Sequence, residues 1–410
     1  MLLMINRIFG NMRKIGSFFF FVSLLIGVSC KEKAGIIDRQ GSIVVGLDNI
    51  VGEGCLTVSS VFDEKDTYYV TLDTITESLL GDFTKLKVYG DKIVILDRDI
   101  AKQILVFDVK GRFLYPVGHF GSGKGEYMDP QDFTYSKDDD VLYVLDARLG
   151  KVLAYQLGTG QYLKSLDNDF PSLHIHYYDG CIYVDNPKVD FEGEKRDFLL
   201  VKLSADTGEV LDTYIEPIKY NGGFDRPLSN VGGPFLMSGI GQFHYSQQFA
   251  NSVFNIIDDR VQPYLTFESK DWITSEDLQD IDIDRDKMAV HKLIFKNKFN
   301  GINNYIETDD FIFCMFLKGV KNQYFIYDKK NAEPFLYSKL ADDVFFAGAS
   351  WSMAKLKYAG CDENGAYFYL SPADVDVLEK SCYLNPLFDS IRRLNDDFNG
   401  AVFRYGYKEK

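Results

Sequence analysis

Short apolar runs, each ended by a polar break, recur along this chain. Ile93-Val-Ile-Leu-Asp97 is followed by Ile104-Leu-Val-Phe-Asp108 and Gly111-Arg-Phe-Leu114. About fifty residues on, Leu142-Tyr-Val-Leu-Asp146, Val152-Leu-Ala-Tyr155 and Gly160-Gln-Tyr-Leu163 repeat that order. Runs this short, rich in β-branched and aromatic residues and split by turn formers, predict strands. A repeat of this length built from such strands predicts a radial array of small sheets.

Weaker copies follow. They include Cys181-Ile-Tyr-Val184 with Phe198-Leu-Leu-Val201, Ser252-Val-Phe-Asn-Ile-Ile257, Phe311-Ile-Phe-Cys-Met-Phe316 and Gly365-Ala-Tyr-Phe-Tyr-Leu370. The count predicts an all-β, six-bladed β-propeller of four-stranded antiparallel blades. A lone blade has two apolar faces, and stacking blades in a circle buries both. Closure needs strands from both ends of the chain. Val402 lies in a last strand-like run, and either Ser42-Ile-Val-Val-Gly46 or Thr67-Tyr-Tyr-Val-Thr71 is its expected partner. Small helical insertions are expected near 274–297, where Ser275 starts a helical pattern, and near 372–394, where Pro372 and Pro386 suit first helical positions.

The first thirty residues differ from the rest. Arg7, Arg13 and Lys14 precede an apolar run from Ile15 to Val28, too short to span a membrane comfortably and of the right length for a signal peptide. The organisation read from this is a lipoprotein signal peptide at 1–29, a lipidated tether at 30–40 and one propeller domain at 41–410. The formal net charge of −15 argues against a nucleic-acid partner. The cysteines after Cys30 number five (Cys55, Cys181, Cys314, Cys361 and Cys382), which excludes a complete set of internal disulfides.

Gly121-x-Gly-x-Gly-Glu-Tyr127, Pro130 and the two runs after them resemble the NHL repeat of β-propellers. Gly27-Val-Ser-Cys30 resembles a relaxed lipobox, which implies acylation of Cys30. Together they make the chain similar to the six-bladed β-propeller lipoproteins of Bacteroidetes. That resemblance implies an outer-membrane address, facing the periplasm or the cell surface. It gives Gly121, Gly123 and Gly125 a structural role where the chain enters the next blade, and gives the aspartate after the strand a turn-holding role.

Candidate chemistry is sparse. Gly118-His-Phe-Gly-Ser-Gly-Lys124 nearly spells a phosphate loop, but Gly125 stands where Ser or Thr would hold magnesium. His174 and His176 alternate on one strand face, so both point the same way. With His244 they are candidate ligands for a divalent metal, although no cofactor is required by the pattern. Asp280, Asp282, Asp284 and Asp286 lack the glycine and terminal glutamate of a calcium loop and read as a solvated acidic stretch. Trp272 and Trp351 are candidate stacking platforms for a carbohydrate, against the simpler reading of core packing. No nucleophile motif is present. The expected function is a non-catalytic ligand- or protein-binding module anchored through Cys30. The alternative, implied by enzymes among NHL-like propellers, is a metal-dependent lyase or lactonase-like hydrolase with its site on the axis.

Overall fold

The computed structural model describes residues 35–37 and 41–408, apart from 82, 187–189, 192–193, 196–197, 217–232, 238–242, 248, 258, 279–295, 347–348, 351–355, 373 and 375–398. The expected signal peptide, Cys30, Trp351, the acidic stretch at 280–286 and nearly all of the insertion near 372–394 lie outside the described residues. Of the insertion near 274–297, the described part holds one helical turn, Ser275–Leu278.

The repeating unit is a four-stranded antiparallel blade, and six blades form the ring. The first comprises Lys85–Tyr89, Lys92–Asp97, Gln103–Asp108 and Phe113–Val117. The second comprises Pro130–Ser136, Val141–Asp146, Lys151–Gln156 and Tyr162–Asp167. The runs that repeat in sequence are therefore the second, third and fourth strands. The first strand of each blade lies innermost, against the first strands of its neighbours.

Alternation within one run explains the packing. Val94 and Leu96 point into a cluster with Phe133, Leu142 and Val144 of the second blade. Ile93 and Ile95 point the other way, against Ala359, Tyr369 and Val402 of the sixth. A central strand covered on both faces must be apolar at consecutive positions, hence the unbroken Ile93–Leu96. Each such side chain, fully buried, contributes about 1.5–3 kcal/mol.

Closure uses one of the two expected strands. Phe62–Thr71 pairs antiparallel with Ala401–Tyr407, with Val70 opposite Val402, and completes the sixth blade. The Ser42–Gly46 run does not close the ring. Ile43–Gly46 instead runs parallel to Arg260–Glu268 on the outer edge of the fourth blade. Glu53–Thr57 then runs parallel to Glu333–Asp342 on the fifth. The N-terminal segment is thus a strap over two blade edges before it becomes the outer strand of a third. Unpaired N–H and C=O groups on an edge strand invite foreign strands, and the strap covers them.

Buried carboxylates hold the joints. Asp146 is fully buried at the end of a second strand. Its Oδ1 accepts N–H groups of Arg148 and Leu149 at 2.9 and 2.8 Å, and its Oδ2 those of Met128 and Asp129 at 2.6 and 3.1 Å. One side chain therefore fixes both the next turn and the segment entering the blade. Asp97 repeats this with Ile100, Ala101 and Gly81, and Asp185 holds the entering segment alone, through Leu173 and His174. The glycines serve the same crossing. Gly121 N–H donates to Tyr127 O at 2.8 Å and Gly123 N–H to Glu126 Oε2 at 2.8 Å, while Gly125, at φ +78°, leaves no room for a Cβ against the Tyr162 ring.

The joint between the fourth and fifth blades is ionic. His244 and Glu307 are both fully buried, with Nε2 and Oε2 2.7 Å apart. His244 Nδ1 meets Asn255 Oδ1. Glu307 also accepts from Tyr305 at 2.8 Å, Lys329 at 2.6 Å and the Tyr264 hydroxyl. Burial opposes the carboxylate charge, but His244 and Lys329 outweigh it and hold the acid at about 2.

Two outcomes are expected. Asp146→Ala strands four N–H groups and should cost about 3 kcal/mol or more in urea unfolding, while exposed Asp138→Ala stays within about 0.5 kcal/mol. Glu307→Ala should cost about 3–5 kcal/mol, because a buried pair loses one member. The contribution of Glu307 is complete above its unfolded value of 4.5 and fades as pH falls toward 2, so the gap between wild type and Glu307→Gln should narrow from pH 7 to pH 3.

Candidate functional site

The innermost strands carry the polar residues that the repeating runs lack. Lys85 and Lys87 of the first blade alternate with buried Leu86. Asp132 and Thr134 on the second and His176 on the third occupy comparable places, with His174 just ahead of its strand. Because alternate residues of a strand share a face, these side chains turn to the ring's axis. There they line a cavity of about 160 Å³ together with Phe235, Gly360 and the rings of Tyr89 and Tyr135.

Two wider cavities adjoin it. One of about 370 Å³ shares Lys87, Gly233, Phe235 and Gly360 with it. The other, of about 630 Å³, shares Tyr89, Tyr135, Cys361 and Tyr367. Lys87 lines both the axial chamber and the smaller neighbour, while the larger one runs outward between the first and sixth blades as far as Val70 and Arg404.

Most charges here are matched. Lys85 pairs with Asp132 and also donates to Phe133 O at 2.8 Å. The second carboxylate oxygen of Asp132 accepts Ile175 N–H at 3.0 Å, so this residue ties three blades at the axis. Thr134 Oγ1 accepts Tyr177 N–H at 2.8 Å. His174 Nδ1 lies 2.7 Å from Asp185 Oδ2. Burial disfavours its charged ring, but the hydrogen bond and charge of Asp185 prevail and raise its pKa. Gly233 lies flat against this ring, where a Cβ would collide.

Two groups are unmatched. His176 is 8 % exposed and its Nε2 has no hydrogen-bond partner. Burial, with the charges of Lys85 and Lys87, drives its pKa to about 3, so the ring is neutral at physiological pH. No carboxylate or other acceptor among the described residues takes the ammonium of Lys87. Burial, reinforced by Lys85, lowers it to about 8. Gly360, at φ +124°, leaves the space that Lys87 Nζ fills.

The sequence candidates sort as follows. His174 and His176 share the chamber, with His174 Nδ1 held by Asp185. His244 belongs to the joint between the fourth and fifth blades, with both nitrogens occupied, and does not join them. Among the described residues no group of three or more His, Cys, Asp or Glu is placed to hold a metal. Trp272 is buried, packed on Phe267 and Phe299, with Nε1 donating to Phe249 O at 2.7 Å. It offers no platform to a sugar. Lys85, Lys87, Asp132 and Thr134 escaped the sequence reading, because alternating polar residues on a half-wet strand give no apolar run. The available signal was the period-two pattern Lys85-Leu-Lys87 just ahead of a repeating unit.

Among solved structures, an exported protein of Bacteroides fragilis NCTC 9343 superposes with a TM-score of 0.69 at 15% identity, over 87% of this chain and 99% of that one. At that identity the likeness concerns the fold. A DUF4221 family member from Bacteroides vulgatus ATCC 8482 gives 0.48 at 11% identity, over 84% of this chain and 97% of that one. No curated protein matches the chain. The family profile described as Domain of unknown function (DUF4934) matches residues 44–404, from the strap to the closing strand, and the chain belongs to that family.

Proposed function

We propose that this propeller is a non-catalytic ligand-binding module, held at the outer membrane by a lipid on Cys30, and that it takes its ligand in the axial chamber. The observation that carries the reading is the pair of unmatched groups there. His176 Nε2 is buried without a hydrogen-bond partner, and no described residue accepts from the ammonium of Lys87, which lines the same cavity. A cavity with a few convergent polar groups and shifted pKa values is the usual form of a small-molecule site. The lipid supports the address: several acyl chains anchor a protein stably, whereas one does so only marginally. A lyase or hydrolase built on an axial metal draws no support from His244, both of whose nitrogens are bonded at a blade joint.

Thermal shift of the full-length protein against a library of organic acids, sugars, amines and short peptides tests the binding reading. At least one class should stabilise the protein, and stabilisation should vanish in a variant altered in the chamber. A blank in every class, or turnover of a ligand that is lost in the same variant, would reject it. For the address, cells fed radiolabelled palmitate should label the wild-type protein and leave Cys30→Ala unlabelled and free of the membrane fraction.

A further inference from the structure

We propose that the axial chamber binds a small organic monocarboxylate, whose oxygens bridge Lys87 Nζ and His176 Nε2. The proposal rests on the binding reading above and narrows it to a ligand class.

Charge selects the anion. Among the groups that face Lys87, Lys85 is neutralised by Asp132 and His174 by Asp185. Cys361, Tyr89, Tyr135 and Tyr367 are all held in their protonated forms by burial. His176 is neutral. The ammonium of Lys87 is then the one charge in the chamber without a counter-charge among the described residues. One negative charge balances it. A phosphate dianion would bring two, and the second would face Asp132. A cation or a neutral sugar would leave Lys87 as it stands.

Geometry selects the carboxylate. Two donors are available, an ammonium and one imidazole N–H in the Nε2 tautomer, and a carboxylate has two oxygens to accept them. Beside these two donors the His176 ring packs against Phe235 and Phe243, with centroids 5.7 and 4.8 Å away, and Tyr89 stands 4.7 Å from Tyr135, so part of the wall is ring surface. Those rings give a short hydrocarbon tail a surface to lie on. The volume of about 160 Å³ limits the tail to a few carbons.

The bound anion explains features that otherwise only cost stability. It gives His176 Nε2 a partner and returns to Lys87 the proton that burial disfavours. Binding therefore depends on pH in a defined direction. The carboxylate is ionised throughout, and Lys87 is protonated below about 8. Affinity is flat below that pH and falls about tenfold per unit above it.

The test is calorimetry on the full-length protein with propionate, butyrate, inorganic phosphate and glucose as probes, from pH 6.5 to 9.5. Propionate or butyrate should bind and phosphate and glucose should not. Lys87→Met should weaken binding about tenfold to a hundredfold, as loss of a charged hydrogen bond does, and abolish the fall above pH 8. His176→Leu should weaken it several-fold and keep that fall. Far-ultraviolet circular dichroism and the unfolding midpoint must match wild type for each variant, and Lys87→Arg, which keeps the charge, serves where Lys87→Met fails to fold. Equal carboxylate affinity in wild type and Lys87→Met, tighter binding of phosphate, or no carboxylate binding would each overturn the proposal. Glucose binding without carboxylate binding would do so while leaving the binding-module reading intact, whereas silence from all four probes and from the wider library would end both.

Discussion

Each blade has two oily faces, and neither can be left in water. Val94 and Leu96 serve one neighbour and Ile93 and Ile95 the other, so a strand of the first blade is stable only while the second and sixth are in place. Every blade imposes the same condition on its neighbours, and the condition is met only when the circle closes. The closing contact, Phe62–Thr71 against Ala401–Tyr407, joins residues more than three hundred positions apart. It carries a large loop entropy, which grows only slowly with length. The strap spreads that contact over three blades. Ile43–Gly46 and Glu53–Thr57 dock on the fourth and fifth before the outer strand of the sixth is laid down, so the N-terminal segment is held at several places rather than at one.

Stacking alone leaves the turns between strands with donors that water cannot reach. The buried aspartates answer that need. Asp97, Asp146 and Asp185 sit at the same point of three successive blades; each takes N–H groups from the segment entering its blade, and Asp97 and Asp146 also take them from the turn after their strands. A hydroxyl or amide offers fewer acceptor positions there, which is why a charged residue is worth its desolvation at a place with so many donors. Glu307 follows the same logic with side-chain donors in the place of backbone ones.

The fold was legible because its evidence is repetitive. Runs buried on both faces are apolar at every position, and Leu142 to Asp146 announces such a strand without help from tertiary structure. The ring's closing partner was not legible. Ser42–Gly46 and Thr67–Thr71 have equal strand character, and the choice depends on which blade edge each can reach. The axial site was half legible. The alternation of His174 and His176 exposed one strand of it. Lys85, Lys87, Asp132 and Thr134 stayed hidden, since a strand that faces a wet axis on one side carries lysine and aspartate where the repeating runs carry valine and leucine. Metal chemistry looked open for His244 because sequence shows residue types and not their hydrogen bonds; Asn255 and Glu307 occupy both of its nitrogens.

The axis is also where the molecule departs from its own rule. At the blade joints a buried charge meets several donors or a counter-charge, as Asp146 and Glu307 do. On the axis Lys85 and Asp132 obey, and so do His174 and Asp185. Lys87 and His176 do not. Stability gives no reason to keep them: methionine or leucine would fill the same space without desolvating an amine or orphaning a ring nitrogen. Gly360 sharpens the point, since its backbone sits in a left-handed conformation that disfavours side chains and thereby leaves room for a lysine that the fold does not need. Local rules broken without structural return are the mark of positions kept for function. In a chain of net charge −15, a cation in the axial chamber without a counter-charge among the described residues is what the proposed small anion would complete.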